Sequence, residues 1–282
     1  MPRYILLLIL FYLFSNSIEA NEIPAHAKGL NEILITVKTS DNKNQQGVFS
    51  LKANANQPKY LAVLLPGYPS VVTPKMKNKI MYSSKLTGNF LIRARRHLVD
   101  TDIGTLIVDC KTNITGICSS NYQSSQKRHE DVSKLILEIK LKYPSIKEIW
   151  LIGTSMGTVS SSFMPTYDTN FYAGAIHTAT ITEPTKKNSY RELMNFNYKK
   201  TNVPQFFIHH KDDPCDITTY SGAEKITKKF NLPLITVLGG SNFNGHPCKA
   251  KTQHGFKGVE KKVMNAIQYI IKNKKIKVTE IN

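Results

Sequence analysis

The chain has 282 residues, of which 41% are hydrophobic and 21% charged, with 15 Gly and 13 Pro. This is globular composition at the length of one large domain or two small ones, and it excludes collagen, a coiled coil and wholesale disorder.

The 38 Lys and Arg against 20 Asp and Glu give a formal charge of +18. This charge favours weak association with anionic surfaces. The lysines are spread over the whole chain without a recognisable nucleic-acid-binding module, so no specific nucleic acid is expected.

The N-terminal segment has the pattern of a secretory signal peptide. A short basic region at Arg3 precedes an uncharged apolar run over residues 4–14, and a polar stretch follows that ends at Ala20. The apolar run is shorter than the roughly 20 residues of helix that cross a bilayer. We therefore predict a cleaved signal peptide over residues 1–20 and a mature domain over residues 21–282, which would be secreted or periplasmic.

Apolar runs rich in β-branched residues alternate with segments of helical period along the mature chain. The runs predict eight strands, over residues 33–39, 48–52, 60–65, 105–108, 148–152, 173–178, 205–209 and 234–238. The segments of helical period predict helices over residues 88–99, 126–143, 156–164, 218–230 and 256–273. This alternation is typical of an α/β protein with a mostly parallel sheet and helices on both faces. The first two strands flank the turn-rich residues 41–47, which predicts an N-terminal antiparallel hairpin.

The longest predicted helix, residues 126–143, has an amphipathic pattern. Its apolar stripe is expected from Val132, Leu135, Ile136, Ile139 and Leu141. Pro144 then ends the helix. The pattern predicts that one face of this helix packs against the sheet.

The cysteines form an even set, which in an exported protein predicts disulfides. They are Cys110, Cys118, Cys215 and Cys248. A zinc site is disfavoured because no C-x-x-C pair is present. Counting alone leaves three pairings open. No nucleotide fingerprint, metal-ligand cluster or covalent cofactor lysine is recognisable, so neither a cofactor nor a metal is expected.

One motif points to nucleophilic catalysis. Gly153-Thr154-Ser155-Met156-Gly157 follows a predicted strand and precedes a predicted helix, which is the context of the G-x-S-x-G nucleophile elbow. A sharp turn exposes the serine oxygen at a helix N-terminus, and the glycines let neighbouring backbone approach without a clashing Cβ. The alternative is a tight strand-to-helix turn with an idle serine.

A serine nucleophile needs a base, and the base needs an acid that orients it. Asp212 and Asp213 directly follow the predicted strand over residues 205–209. His246 and His254 lie nearer the C-terminus. An aspartate between the serine and the histidine gives the chain order of hydrolases with this elbow.

Four segments resemble the α/β-hydrolase superfamily, and the resemblance extends over nearly the whole mature chain. They are Leu64-Leu65-Pro66-Gly67, residues 89–93, the elbow at residues 153–157 and the His-His-x-x-Asp-x-Cys segment at residues 209–215. The chain is most similar to small exported members without a large lid. The resemblance implies the α/β-hydrolase fold, with Ser155 as nucleophile, Asp213 as acid and His254 as base.

The same resemblance separates the competing residues. Aligning His209 with the strand-end histidine of the family puts the acid four residues later, at Asp213, and leaves Asp212 as a solvated loop charge. His254 stands at the predicted start of the last helix, where the family has its base, whereas His246 precedes Pro247 in the loop.

An oxyanion hole of two backbone N–H groups is also implied. The N–H of Met156, which follows the nucleophile, would supply one donor. Tyr68 would supply the other, because Pro69 has no N–H. Residues 66–70 are poorer in glycine than is usual in the family, and the alternative is that the Tyr68 ring covers the acyl pocket.

Within the expected fold, each preferred cysteine pair closes one loop. A bond between Cys215 and Cys248 would link the loops that contain the proposed acid and base. A bond between Cys110 and Cys118 would close the loop after the predicted strand at residues 105–108, which is expected at the rim of the active site. Alternatively, both bonds serve only the stability of an exported protein.

The resemblance implies a serine hydrolase that cleaves an ester, thioester or amide through an acyl-enzyme. An esterase is the first expectation, with a small-molecule or lipid-like acyl substrate. The segment between residues 178 and 205 is polar and does not have the pattern of a long apolar lid. Its polarity favours substrates with short or exposed acyl groups. The alternatives are a peptidase or envelope amidase, and a catalytically idle binding protein with a basic surface. The oligomeric state is not indicated.

Overall fold

A computed structural model describes residues 22–185 and 189–282, so the predicted signal peptide, residues 1–20, lies outside the described residues. The strands are β1 (Leu30–Lys38), β2 (Asn44–Lys52), β3 (Tyr60–Leu65), β4 (Lys75–Lys77), β5 (Ile80–Ser83), β6 (Ile103–Val108), β7 (Glu148–Thr154), β8 (Gly174–Thr178), β9 (Gln205–His210), β10 (Leu234–Val237) and β11 (Glu280–Ile281). The α-helices are α1 (Phe90–Ala94), α2 (Ser120–Gln123), α3 (Gln126–Lys142), α4 (Gly157–Tyr167), α5 (Arg191–Met194), α6 (Tyr220–Phe230) and α7 (Glu260–Asn273).

The main sheet is mostly parallel, as the sequence predicts. Its strand order is β1-β2-β6-β3-β7-β8-β9-β10-β11. Only the β1–β2 and β2–β6 pairs are antiparallel, and β1 and β2 form the predicted N-terminal hairpin. The expected α/β class is therefore confirmed.

The predicted number of eight strands is wrong, because the main sheet has nine strands within residues 22–185 and 189–282. The additional strand is β11, which consists of two residues and pairs in parallel with β10. Two residues are too few to show a strand period in the sequence. A separate antiparallel pair, β4 and β5, was also not predicted.

Helices cover both faces of the sheet because successive strand residues point to opposite sides. In β3, Ala62 and Leu64 belong to one core cluster, and Leu61, Val63 and Leu65 belong to the other. The first cluster includes apolar residues of α1 and α7, and the second includes those of α3. The sheet thus lies between two apolar layers.

Helix α3 contributes four of its five expected stripe residues to the core. Val132, Leu135, Ile136 and Ile139 are fully buried. Leu141, which was expected in the stripe, is instead 80% exposed. It follows Ile139 by two positions, and two steps of a 3.6-residue helix turn a side chain through about 200°, to the opposite face.

The last helix begins later than predicted, at Glu260 rather than near residue 256. Phe256 and Gly258 have φ angles of 57° and 91°, and the left-handed conformation of both residues is incompatible with a continuous right-handed helix. His254 therefore lies in a separate 3₁₀ turn, Gln253–Gly255.

No helix within residues 22–185 and 189–282 combines the length and the apolarity that crossing a membrane requires.

Candidate active site

The loops that contain the predicted site residues meet at one edge of the sheet. Strands β3, β7, β8, β9 and β10 are parallel neighbours, so their carboxyl ends lie at the same edge. Residues 66–70 follow β3, Ser155 follows β7, and Asp213 follows β9. His254 lies in the long connection between β10 and α7.

Ser155 has the conformation of a nucleophile elbow. Its φ angle is 51°, a left-handed conformation that non-glycine residues rarely adopt. A Cβ atom on Gly157 would lie 1.9 Å from the carbonyl oxygen of Leu65, and one on Gly153 would lie 2.3 Å from the Ser161 Oγ. Both flanking glycines are therefore required by close packing around the turn. The Ser155 residue is 9% exposed.

Asp213 is the aspartate that contacts His254. Its Oδ2 atom lies 3.0 Å from His254 Nδ1, and its Oδ1 accepts a 3.0 Å hydrogen bond from the Cys215 N–H. Asp212 is exposed, and its N–H donates to His210 Nδ1. Of the two carboxylates weighed from the sequence, the structure therefore brings Asp213 to His254.

The environment keeps the Asp213 carboxylate ionised. Burial raises the pKa of Asp213, but the hydrogen bond from His254 and the electrostatic effect of that ring together lower it more, with smaller contributions from His209 and the Cys215 N–H. The net pKa lies below the usual value for aspartate. An ionised carboxylate can accept the Nδ1–H of His254 and thereby fix the neutral ring in one tautomer.

His254 and Ser155 line the same cavity. The Ser155 cavity has a volume of about 310 Å³, and its wall includes Tyr68, Lys85, Asn89, Ser155, Lys249 and His254. His254 is 5% exposed. His246 is exposed in the preceding loop, where its Nδ1 accepts a 3.4 Å hydrogen bond from the Cys248 N–H.

Thr218 is a site residue that the sequence analysis missed. Its Oγ1 lies 2.9 Å from Asp213 Oδ2 and 3.0 Å from His254 Nδ1. Since the carboxylate accepts only, the hydroxyl proton goes to Asp213, and the Thr218 oxygen can share the Nδ1–H of His254. A threonine five residues after an aspartate matches no motif, so only the fold reveals this contact.

The two expected oxyanion donors belong to segments next to Ser155: Met156 follows it in the chain, and Tyr68 lines the same cavity. Within the described part of the chain, neither the Met156 N–H nor the Tyr68 N–H has a hydrogen-bond acceptor. A Cβ on Gly67 would lie 3.1 Å from the Ser155 Cβ and 3.5 Å from the Asn89 Nδ2. The loop after β3 therefore packs directly against the serine, and the Tyr68 residue above it is 55% exposed.

Both disulfides join segments of this site. Cys110 is bonded to Cys118 and Cys215 to Cys248, which is the pairing preferred from the sequence. The Cys118 N–H donates a 2.9 Å hydrogen bond to the Pro69 carbonyl, so the first bond supports the loop after β3. The second bond links the loop of Asp213 to the wall of the Ser155 cavity, which includes Cys248.

His177 of β8 is a buried structural residue. Its side chain is fully buried, with Nδ1 2.8 Å from Ser161 Oγ and Nε2 3.0 Å from Gln205 Oε1. Burial lowers the pKa of His177 to about 4, although the Gln205 contact opposes the shift. The ring is therefore neutral in the folded protein at neutral pH.

Comparisons with known proteins identify the fold. No protein-family model matches the sequence, and no curated protein matches it. An esterase of Pyrococcus furiosus superposes with a TM-score of 0.57 at 14% identity, covering 86% of this chain and 92% of its own. A cold-adapted esterase from an Arctic intertidal metagenomic library has a TM-score of 0.55 at 11% identity, covering 86% of this chain and 95% of its own. The acylaminoacyl peptidase of Pyrococcus horikoshii has a TM-score of 0.53 at 14% identity, covering 89% of this chain and 43% of its own.

These likenesses show that the chain has the α/β-hydrolase fold. The fold implied by the resemblance of the four sequence segments is thereby confirmed.

The buried neutral His177 predicts a loss of stability in mild acid. An unfolded histidine binds its proton near pH 6.5, whereas folded His177 binds it only near pH 4. The unfolded state therefore holds more protons between these values, and stability falls as the pH falls. This residue alone should contribute about 3 kcal/mol to the fall.

Urea unfolding of the wild type and of His177→Gln at several pH values between 7 and about 4 measures this contribution. The variant should show a shallower dependence of unfolding free energy on pH, while a His246→Gln control should keep the wild-type slope. An unchanged slope in His177→Gln would show that the ring does not resist protonation.

Proposed function

We propose that the protein is a secreted or periplasmic serine hydrolase that cleaves an ester through an acyl-enzyme intermediate. One observation carries the proposal. The His254 ring, which is hydrogen-bonded to the Asp213 carboxylate, lines the same cavity as Ser155, the serine at the centre of the elbow. This is the combination of nucleophile, base and orienting acid that serine hydrolases need.

The proposed reaction begins with attack of the Ser155 oxygen on the acyl carbon. His254 takes the serine proton on Nε2, on the opposite side of the ring from Asp213, and then gives it to the leaving group. The N–H groups of Met156 and Tyr68 stabilise the oxyanion. Water, deprotonated by His254, then hydrolyses the acyl-enzyme and restores the serine.

Two further observations favour an exported esterase. The chain corresponds to more than nine-tenths of each esterase described above but to 43% of the peptidase. Two disulfides are typical of oxidising compartments. A peptidase or envelope amidase, and an idle binding protein, are the alternatives that the following measurement distinguishes.

A fluorophosphonate probe should label the mature wild type and fail to label Ser155→Ala or His254→Ala. The probe reacts with serines that a base activates, so the reaction needs both residues. Loss of His254 should lower kcat for ester hydrolysis about 10⁴-fold. Labelling is followed by intact mass, and circular dichroism checks that the variants fold.

A matched ester and anilide with the same acyl group then separate the enzyme classes. Faster turnover of the ester supports the esterase, whereas preferential cleavage of the anilide would support a peptidase or amidase. A folded wild type that neither labels nor hydrolyses any of these compounds would favour a binding protein.

Thr218→Val should lower kcat/KM about tenfold, because the Asp213–His254 pair loses a hydrogen bond to a charged group. The acidic limb of the pH–rate profile should move to higher pH, since an Asp213 carboxylate that loses a donor presents more negative charge to His254 and favours the protonated ring, which cannot act as a base. Thr218→Ser, which keeps the hydroxyl, should retain most of the activity and the wild-type profile.

Thr105→Val is the matched control, because Thr105 is a buried threonine of β6 whose hydroxyl lacks a hydrogen-bond partner among the described residues. Its replacement should leave the pH profile in place. A Thr218→Val enzyme with the profile and kcat/KM of the wild type would contradict the positioning role.

A further inference from the structure

A second cavity adjoins the Ser155 cavity, and we call it the basic groove. It has a volume of about 680 Å³ and shares Gly88 with the Ser155 cavity. The charged and titratable residues that line it are His26, Arg93, Arg96, His97, Lys251, Lys257, Glu260 and Lys261. Lys249 lines the Ser155 cavity and Lys251 lines the basic groove, so two lysines separated by one residue lie where the two cavities adjoin.

We propose that the substrate of the Ser155 site is an anionic ester, with a carboxylate or phosphate group that lies against Lys85 and Lys249 of the Ser155 cavity, beside the basic groove. The inference rests on the proposed serine hydrolase function and adds the chemical class of its substrate.

The first support is the charge of the Ser155 cavity itself. Its wall contains the cations Lys85 and Lys249, and no carboxylate residue is among its lining residues. Neither lysine forms an ion pair within residues 22–185 and 189–282. An anionic group beside the reacting ester would therefore find positive charges that no protein carboxylate neutralises.

The second support is the charge balance of the basic groove. Its only carboxylate among the lining residues, Glu260, is held by Arg93 at 3.0 Å. Arg96, Lys251, Lys257 and Lys261 have no ion-pair partner in the described part of the chain. The groove thus has an excess of four positive charges next to the site of reaction.

The local field also acts on a neighbouring ring. The pKa of His97 is lowered first by burial and then by the positive charges of Arg96 and Lys261, against the smaller opposite effect of Glu260. The charges around His97 thus have a net positive effect, which adds to the lowering of its pKa.

The high charge of the whole chain makes a matched control necessary, because lysines also occur on surfaces far from the site. Lys134 and Lys140 lie on α3, which packs on the face of the sheet opposite to α1 and α7. Neither forms an ion pair among the described residues. Removing these two lysines changes the net charge as much as removing Lys85 and Lys249.

The test compares hydrolysis of anionic and neutral esters of equal length. One pair is the 4-nitrophenyl monoester of adipic acid and 4-nitrophenyl hexanoate, with the charge on the acyl side. The other pair is 4-acetoxybenzoate and phenyl acetate, with the charge on the leaving group. Rates with Ser155→Ala are subtracted, because carboxylate esters also hydrolyse without enzyme.

At low salt, kcat/KM should be about fivefold or more higher for the anionic member of at least one pair, relative to the intrinsic reactivity of each ester. The preference should decrease as salt screens the charges. Lys85→Gln with Lys249→Gln should reduce the anionic-to-neutral ratio severalfold, while Lys134→Gln with Lys140→Gln should keep the wild-type ratio.

Equal or lower kcat/KM for both anionic esters would overturn the proposal, and so would an equal loss of preference in the two double variants. These results differ from failure of the proposed function. In that case the wild type would hydrolyse neither neutral ester and would not react with the fluorophosphonate probe.

Discussion

The close approach of Gly157 to the Leu65 carbonyl is the contact on which the candidate site depends. A Cβ at position 157 would lie 1.9 Å from that oxygen, a distance at which the first turn of α4 would have to move away from β3. Because the turn stays close, Ser155 lies against the loop after β3. Ser155, the proposed nucleophile, is thereby held beside the segment that contains Tyr68.

The order of the parallel strands brings the other site residues to the same edge of the sheet as this contact. Strand β3 lies next to β7, and β8 separates β7 from β9. The carboxyl ends of these strands place Ser155 and Asp213 at one edge, where the connection after β10 adds His254. Ser155 and Asp213 are 58 positions apart in the chain, and Asp213 and His254 are 41 positions apart. They come to the same edge of the sheet because the strands share a direction.

Local sequence patterns were sufficient to predict the features that depend on residues close together in the chain. The eight apolar runs, the N-terminal hairpin and the elbow around Ser155 each depend on the period or spacing of neighbouring residues. The choice of Asp213 over Asp212 came from the resemblance to the α/β-hydrolase superfamily, which puts the acid four residues after His209, and the structure places the Asp213 carboxylate against His254. The roles of these three residues remain proposals, but their proximity follows from the fold.

The features that the sequence did not predict depend on long-range contacts or on single backbone conformations. Thr218 meets Asp213 and His254 only through the fold. The left-handed Phe256, which delays α7, is neither a glycine nor an asparagine, the residues that usually mark this conformation in a sequence. The basic groove combines residues 93–97 with residues 251–261, and no charge run in the sequence indicates that these segments share a wall.

The central claim is that Ser155 forms an acyl-enzyme with help from His254 and Asp213. Rapid-quench hydrolysis of 4-nitrophenyl acetate, followed by peptide mass spectrometry, tests this claim most directly. The proposal predicts release of about one equivalent of nitrophenol per enzyme in the first turnover, with the acetyl group on the peptide that contains Ser155. Turnover with an acetyl group on another residue, or with Ser155→Ala as active as the wild type, would contradict it.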